Sequence, residues 1–470
     1  MAALLLLLFY GCKRGPTTVE DGIAKGALHV GNGQEPQELD PHLITGVSEI
    51  NILMALFEGL AGQDPKDLSP VPGAAKSWDI SQDGMVYTFH LRENQLWSNG
   101  SAITSEDFAF SFRRILNPKL GASNAYLLFV LKNAKAFFDR ELQWEKVGVR
   151  TPDKNTLILE LENAIPYFLN LISHPAWFPI PHSVLSKKGD HYGRASGWTR
   201  TGTLVSNGPF TLLDWKVNEF IQVANNEQYW DKETTRLKKI YFYPTESRGA
   251  EERAFRSGQL HLTEALPVSR VGYYQENNIP ALQIDPYLGT VYLQLNTRNA
   301  PLSDPRVRKA LSLVLDRELI VKNITKAKQQ PAWHFTPPGT TGYDPGISGE
   351  KNIAQAKTLL GEAGFENGEG FPVLTYLYNT SENNKTIAEA LQQMWLSALG
   401  IRVQLINQEW KVFTQTRESG EFDILRSSWI ADYVDPSSFL NVWISESGNN
   451  FTGWFSANYD YFIQASQKRR

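Results

Sequence analysis

Residues Met85 to Pro118, MVYTFHLRENQLWSNGSAITSEDFAFSFRRILNP, change hydrophobic period partway along, and this change restricts the fold more than any other feature of the chain. Val86, Thr88 and His90 alternate with Tyr87, Phe89 and Leu91, a period of two that predicts a strand with one buried face. Asn99-Gly100 predicts a tight turn. Thr104 then precedes Glu106, Asp107 and an apolar run through Phe108, Phe112 and Ile115 at helical spacing, closed by Asn117-Pro118, so a capped helix follows. The same switch recurs elsewhere. A strand and loop after Ala27 lead to helical spacing from Ile50 to Leu60, and strand pairs are predicted around the turn Pro152–Asn155 and within Asn207–Asp231. A strand and loop precede a helix from about Pro305, and a helix ended by Gly400 leads into a further strand. Alternating strands and helices make this an α/β chain, and 470 residues are enough for two or three lobes.

The net charge of −4, with acids and bases interspersed, offers no basic stripe and argues against a nucleic-acid partner. The 13 Trp and 18 Tyr exceed what a plain core needs and suit a protein that grips ligands by apolar area. Internal disulfides are excluded by the single cysteine, Cys12. It follows an apolar run from Ala2 to Phe9 in MAALLLLLFYGCKRG, which resembles a bacterial lipoprotein signal. That resemblance implies residues 1–12 as a signal whose cysteine is lipid-modified, and an exported protein anchored at the membrane surface. No Lys or Arg precedes the run, and Phe9 and Tyr10 stand where smaller residues are usual. The run is too short to span a bilayer, and no later segment qualifies. Residues 13–26, polar and turn-rich, are expected to be a tether. Clustered prolines from Pro166 to Pro181 and glycines from Gly189 to Gly202 predict a boundary between lobes.

Enzymatic chemistry finds little support. HExxH, GxSxG and phosphate-loop motifs are absent, and the eight His show no metal-ligand spacing. Neither a catalytic residue, a metal ligand nor a cofactor is therefore assigned. Asp432 and Asp435 beside Trp429 could flank a sugar bond as in a glycosidase, but their spacing alone does not place them across a substrate.

Together, the ordered stretch Ala75 to Pro118 and the segments NGPFTLLDW, NNEQYWD and PLSDPRVRKALSLVLDRE resemble the extracytoplasmic oligopeptide-binding proteins of bacterial ABC transporters. NQEWKVFTQTRESGEFDILRSSWIADYVDPSSFLN is similar to their peptide-recognition region. The resemblance runs over nearly the whole chain. It implies a two-lobed, periplasmic-binding-protein-like (type II) α/β fold with an extra domain inserted in the first lobe. The first lobe would use residues 27–57 and 182–284, the inserted domain 58–181 and the second lobe 285–470. Family chains continue about 60 residues further, so the second lobe is expected to be truncated at its C-terminal end. The implied partners are an oligopeptide ligand, a membrane permease and its ATPase subunits, with the receptor itself a monomer in the periplasm or at the cell surface. Related receptors for dipeptides, metal chelates or signalling peptides are the alternative.

A receptor for varied peptides must take its affinity from backbone amides and terminal charges. The peptide's ammonium needs a counter-charge when it is desolvated. By the family motif, that counter-charge is Asp432 in WIADY; without the resemblance it would read as a solvated loop acid or turn cap. Trp410 and Trp429 match tryptophans that bound side-chain pockets. Arg417 and Arg426 match cations that meet the C-terminal carboxylate at different ligand lengths, a task suited to a planar fork; a structural salt bridge is the bland alternative. Tyr126 lies near a ligand-contacting tyrosine of the family, and Gly46, Val47 and Ala431 complete the expected peptide-binding set. Thr45 and Asn384 stand where the best-known members carry an acid and a histidine. Ligand contacts to both lobes are expected to be what holds the closed state.

Overall fold

The computed structural model describes residues 15–468 apart from Thr45, 188–191, 195–196, Gly339, 341–342 and 347–348. The expected signal and Cys12, like Thr45, lie outside the described residues.

Three four-stranded sheets carry the described chain. In the first, Ala27–Gly31 runs parallel to Lys239–Tyr243, which pairs antiparallel with Phe220–Asn225 and through it with Phe210–Lys216. In the second, Ala75–Ile80, Val86–Leu91, Thr156–Glu160 and Val149–Asp153 follow one another, all antiparallel. In the third, Gly289–Leu295 is antiparallel to Ile424–Ile430, while Leu374–Asn379 is parallel to both Ile424–Ile430 and Val403–Gln408.

Local signals explain the elements. Tyr87, Phe89 and Leu91 are buried on one face of their strand, as the period of two requires. The helix Ser105–Ile115 starts where Thr104 donates its backbone N–H to Asp107 Oδ2 at 2.9 Å. Helix Glu382–Leu399 ends at Gly400, whose φ of 71° is a left-handed cap that a side chain would strain.

Two readings need correction. The expected tether contains helix Thr18–Lys25, because Thr17 and Glu20 form a reciprocal cap that its polar composition concealed. That helix is docked, since Val19 N–H donates to Gly258 O at 2.9 Å. The helix placed at Ile50–Leu60 runs instead over Val47–Leu56, and Phe57 is already extended.

Buried side chains form two large cores. One gathers residues from Leu39 to Phe242, joined from far along the chain by Tyr433; the other gathers residues from Leu302 to Ile424. The proline- and glycine-rich stretch is not a gap in packing, because Phe168, Trp177, Leu185 and Trp198 are buried within the first core. A buried ion pair reinforces the continuity there. Arg114 on helix Ser105–Ile115 donates to both oxygens of Asp40 at 2.6 and 3.0 Å, and the Trp198 indole N–H donates to Asp40 at 3.0 Å. No helix among the described residues is long and apolar enough to cross a membrane.

Candidate functional site

A cavity of about 1200 Å³ lies between the two cores. Its lining comes from both sides: Gly46, Val47, His174 and Arg248 from the first, and Tyr292, Trp410, Arg417, Arg426, Trp429, Ala431 and Asp432 from the second. The structure thus brings together every expected peptide-binding residue except Tyr126, which reaches the site by another route.

That route is a hydrogen bond. The Tyr126 hydroxyl donates to Asp432 Oδ2 at 2.8 Å, across 306 residues of sequence. The Asp432 backbone N–H donates to Ser438 Oγ at 2.8 Å, which fixes the loop after strand Ile424–Ile430. His174 faces the other carboxylate oxygen, Oδ1, at 3.8 Å. Its Nδ1 accepts from Ala176 N–H, and burial lowers its pKa to about 4, so the ring is neutral at physiological pH and supplies no positive charge. Burial pushes the Asp432 carboxyl up to about 7, against a smaller opposing effect of the Tyr126 hydrogen bond. A desolvated carboxyl beside neutral donors favours the arrival of a cation.

Arg417, on helix Trp410–Ser419, and Arg426, on strand Ile424–Ile430, are half-buried at the cavity wall. Burial lowers the pKa of both guanidiniums, and each keeps its Nε away from solvent without a hydrogen-bond partner. Arg417 lies 4.8 Å from the centre of the Phe451 ring, and Arg426 Nη1 donates to Ser428 Oγ at 3.3 Å.

The Trp429 indole N–H donates to Ser438 O at 2.7 Å, and Trp410 stacks on Phe413 with centroids 5.7 Å apart, so both rings are held as walls. Gly46 caps helix Val47–Leu56, and a Cβ there would sit 2.2 Å from Glu49 Oε2. The glycine therefore makes room for a protein carboxylate, whatever it also allows a ligand. Val47 is 42% exposed in the cavity. Ala431 N–H is already committed to Leu288 O. Asn384 is buried and donates its amide to Asn379, an internal role.

Sequence reasoning missed His174 and the stack of Tyr167 on Tyr433, with centroids 4.4 Å apart and planes within 8°. Nothing local to His174 or Tyr167 marks either residue, because their partners lie in the 432–433 loop. The stack is one of several protein contacts that bridge the two sides alongside the contacts expected of a ligand. Tyr126 to Asp432, Tyr167 to Tyr433, and Lys135 to Glu446 at 3.2 Å bridge the two sides directly. Among the described residues no group of three or more His, Cys, Asp or Glu could hold a metal ion.

The family model of bacterial extracellular solute-binding proteins, family 5 (middle), matches residues 69–451. The periplasmic oligopeptide-binding protein OppA of Escherichia coli is 37% identical over 455 residues, covering 94% of this chain and 82% of that one. Among solved structures, the Escherichia coli murein tripeptide binding protein MppA superposes with a TM-score of 0.89 at 36% identity, covering 94% of this chain and 87% of that chain. Its unliganded open form reaches a TM-score of only 0.63 at the same identity, with 95% and 86% covered, so the lobes here are not in that open arrangement. Haemophilus influenzae OppA in complex with RPPGFSPFR superposes with a TM-score of 0.88 at 32% identity, covering 95% and 88%.

Proposed function

Because the chain belongs to family 5 of the bacterial extracellular solute-binding proteins, we propose that it is a receptor that captures oligopeptides between two closing lobes and delivers them to an ABC importer. Family and relatives are solute-binding proteins, and the reading extends to this chain as a non-enzyme, monomeric and extracytoplasmic, held at the membrane surface through Cys12. The importer's ATPase subunits supply the energy, since this chain carries no phosphate-loop motif.

The observation that carries the reading is Asp432: a carboxyl desolvated in an inter-lobe cavity, held from the opposite side by Tyr126, with no cation against it among the described residues. A peptide ammonium arriving there forms a charge-assisted hydrogen bond to the carboxylate. Trp410 and Trp429 offer wide apolar walls that accept many side chains. Gly46, Val47 and Ala431 border the peptide backbone. The C-terminal carboxylate meets Arg426 or Arg417, according to ligand length. Asp432 and Arg426 are six positions apart along one strand and its continuation, which bounds their Cα separation at about 20 Å.

Calorimetry with a defined peptide pool tests the reading, followed by mass spectrometry of the bound fraction. Intact peptides with free amino ends should be recovered. Cleaved products formed with turnover, or binding indifferent to N-acetylation, would overturn it.

A further inference from the structure

Helix Thr18–Lys25 is held to the first sheet by little apolar contact. Gly22 is its one buried residue, and Ile23 is 71% exposed. A helix of eight residues does not persist in water by itself, so its docking decides whether it forms. Gly22 docks against a pair of imidazole rings: a Cβ there would lie 2.9 Å from His261 Cε1 and 3.1 Å from His29 Cδ2.

The two rings are stacked, with centroids 5.6 Å apart and planes within 12°. His29, buried on strand Ala27–Gly31, also stacks on Tyr241 at 4.7 Å, and its Nδ1 is 2.9 Å from the Tyr243 hydroxyl. The His29 backbone N–H donates to His261 Nδ1 at 3.0 Å, and the His261 backbone N–H donates to His29 O at 2.8 Å, which seats residues 258–262 beside the strand. Asp21 on the helix is the acid that acts on His29, and it is paired with Lys25 at 2.8 Å. Phe220, on the neighbouring strand, sets a neutral ring edge-on to both tyrosines.

This cluster holds fewer protons than the same residues do in water. His261 Nδ1 spends its lone pair on the His29 N–H, so a proton there breaks the bond and turns N–H toward N–H. The Tyr243 hydroxyl can rotate to accept from a protonated His29, and Asp21 supports that charge, so one imidazolium is tolerated; two would face each other at 5.6 Å. Burial, then like charge from His261, holds His29 below the usual histidine range against the smaller effect of Asp21. Once released, both rings take up protons as ordinary histidines do, near about pH 6.5. The docked form is therefore fully favoured above that pH and loses ground as pH falls through it, by up to about tenfold per pH unit for each extra proton.

We propose that His29 and His261 form an acid-release latch: as neutral rings they seat helix Thr18–Lys25 on the first sheet, and protonated together they free the helix and residues 258–262. The N-terminal helix is then a strap fastened at neutral pH and loose in acid. This latch does not depend on the peptide reading above.

Hydrogen exchange of the full chain, read by mass spectrometry at pH 7.5, 6.5 and 5.5 and corrected for intrinsic rates, tests it. The reporters are the amides of helix Thr18–Lys25, including the Val19 N–H bonded to Gly258 O, and those of residues 258–262. Their protection should fall tenfold or more from pH 7.5 to 5.5, while helix Glu382–Leu399 stays within threefold. His261→Asn keeps an acceptor close to the place of Nδ1 and cannot become charged; His29→Phe keeps a ring in the stack. In either variant the fall should shrink to within threefold. Should one variant fail to fold, or to dock at pH 7.5, the other decides. Wild-type protection unchanged between pH 7.5 and 5.5 would overturn the proposal, and so would a tenfold fall that persists in the variants.

Discussion

Replacing Asp432 by Asn keeps the shape of the side chain and removes its charge, so it isolates the counter-charge role. A carboxyl held near 7 instead of the ordinary 3.8 resists ionisation by about three pH units, roughly 4 kcal/mol at 1.36 kcal/mol per unit. On the proposed reading, a ligand ammonium offsets that cost on closure. Removing one partner of such a pair strands the other, and measured losses run at about 2–5 kcal/mol. With Tyr126 still able to hydrogen-bond the Asn side chain, a loss of about 3 kcal/mol is expected, roughly a hundredfold in Kd. The assay is calorimetric titration of Ala-Ala-Glu and its N-acetyl form into both proteins at pH 8. The free-amine peptide should weaken a hundredfold in the variant, and the acetylated one should bind both proteins alike. Equal affinity of the two proteins for the free-amine peptide refutes the assignment of Asp432 to the ammonium.

Four further outcomes follow from the structure. Peptide binding should depend on pH: the ammonium needs Asp432 ionised, so below about pH 7 binding must expel a proton and affinity should drop by up to tenfold per pH unit. Titration at pH 6 in buffers of different ionisation enthalpy should detect up to one proton released, and a flat profile from pH 5.5 to 8 would contradict it. The same raised value has a stability consequence without ligand. The folded protein holds a proton that the unfolded chain has lost between about pH 4 and 7, so this group costs stability as pH rises through that window, and at pH 8 Asp432→Asn should melt higher than wild type. Tyr433→Ala removes a stack worth about 1 kcal/mol between the two sides, so peptide release in stopped-flow should quicken about fivefold or more; an unchanged off-rate would show that the stack does not hold the closed state. Arg114→Met strands the buried Asp40 and should cost about 3–5 kcal/mol of stability in denaturant unfolding.

Much of the architecture was legible because it is written locally. The period of two at Val86–Leu91, the Thr104–Asp107 cap and the left-handed Gly400 each act within a few residues, and the strands and helices appear where those signals fall. Helix Thr18–Lys25 shows how such a signal is overlooked, since a polar composition concealed the Thr17–Glu20 cap. The cleft segment was legible for another reason. WIADY sits inside a long match to a known family, and the structure places its Asp432, Trp429 and Ala431 on one cavity with Trp410, Arg417 and Arg426.

By itself, the sequence determined the alternation of elements and the α/β class, because backbone geometry, caps and hydrophobic period are decided by near neighbours, and its resemblance to a family pointed to the short segment that lines the cavity. Only the tertiary structure decided what the charges there experience. Tyr126 meets Asp432 across 306 residues, Tyr433 joins the core of the other side, and Arg114 finds Asp40 while the Nε atoms of Arg417 and Arg426 are buried without a hydrogen-bond partner. Desolvation and charge pairing depend on which distant surfaces come together, and no local pattern records that meeting.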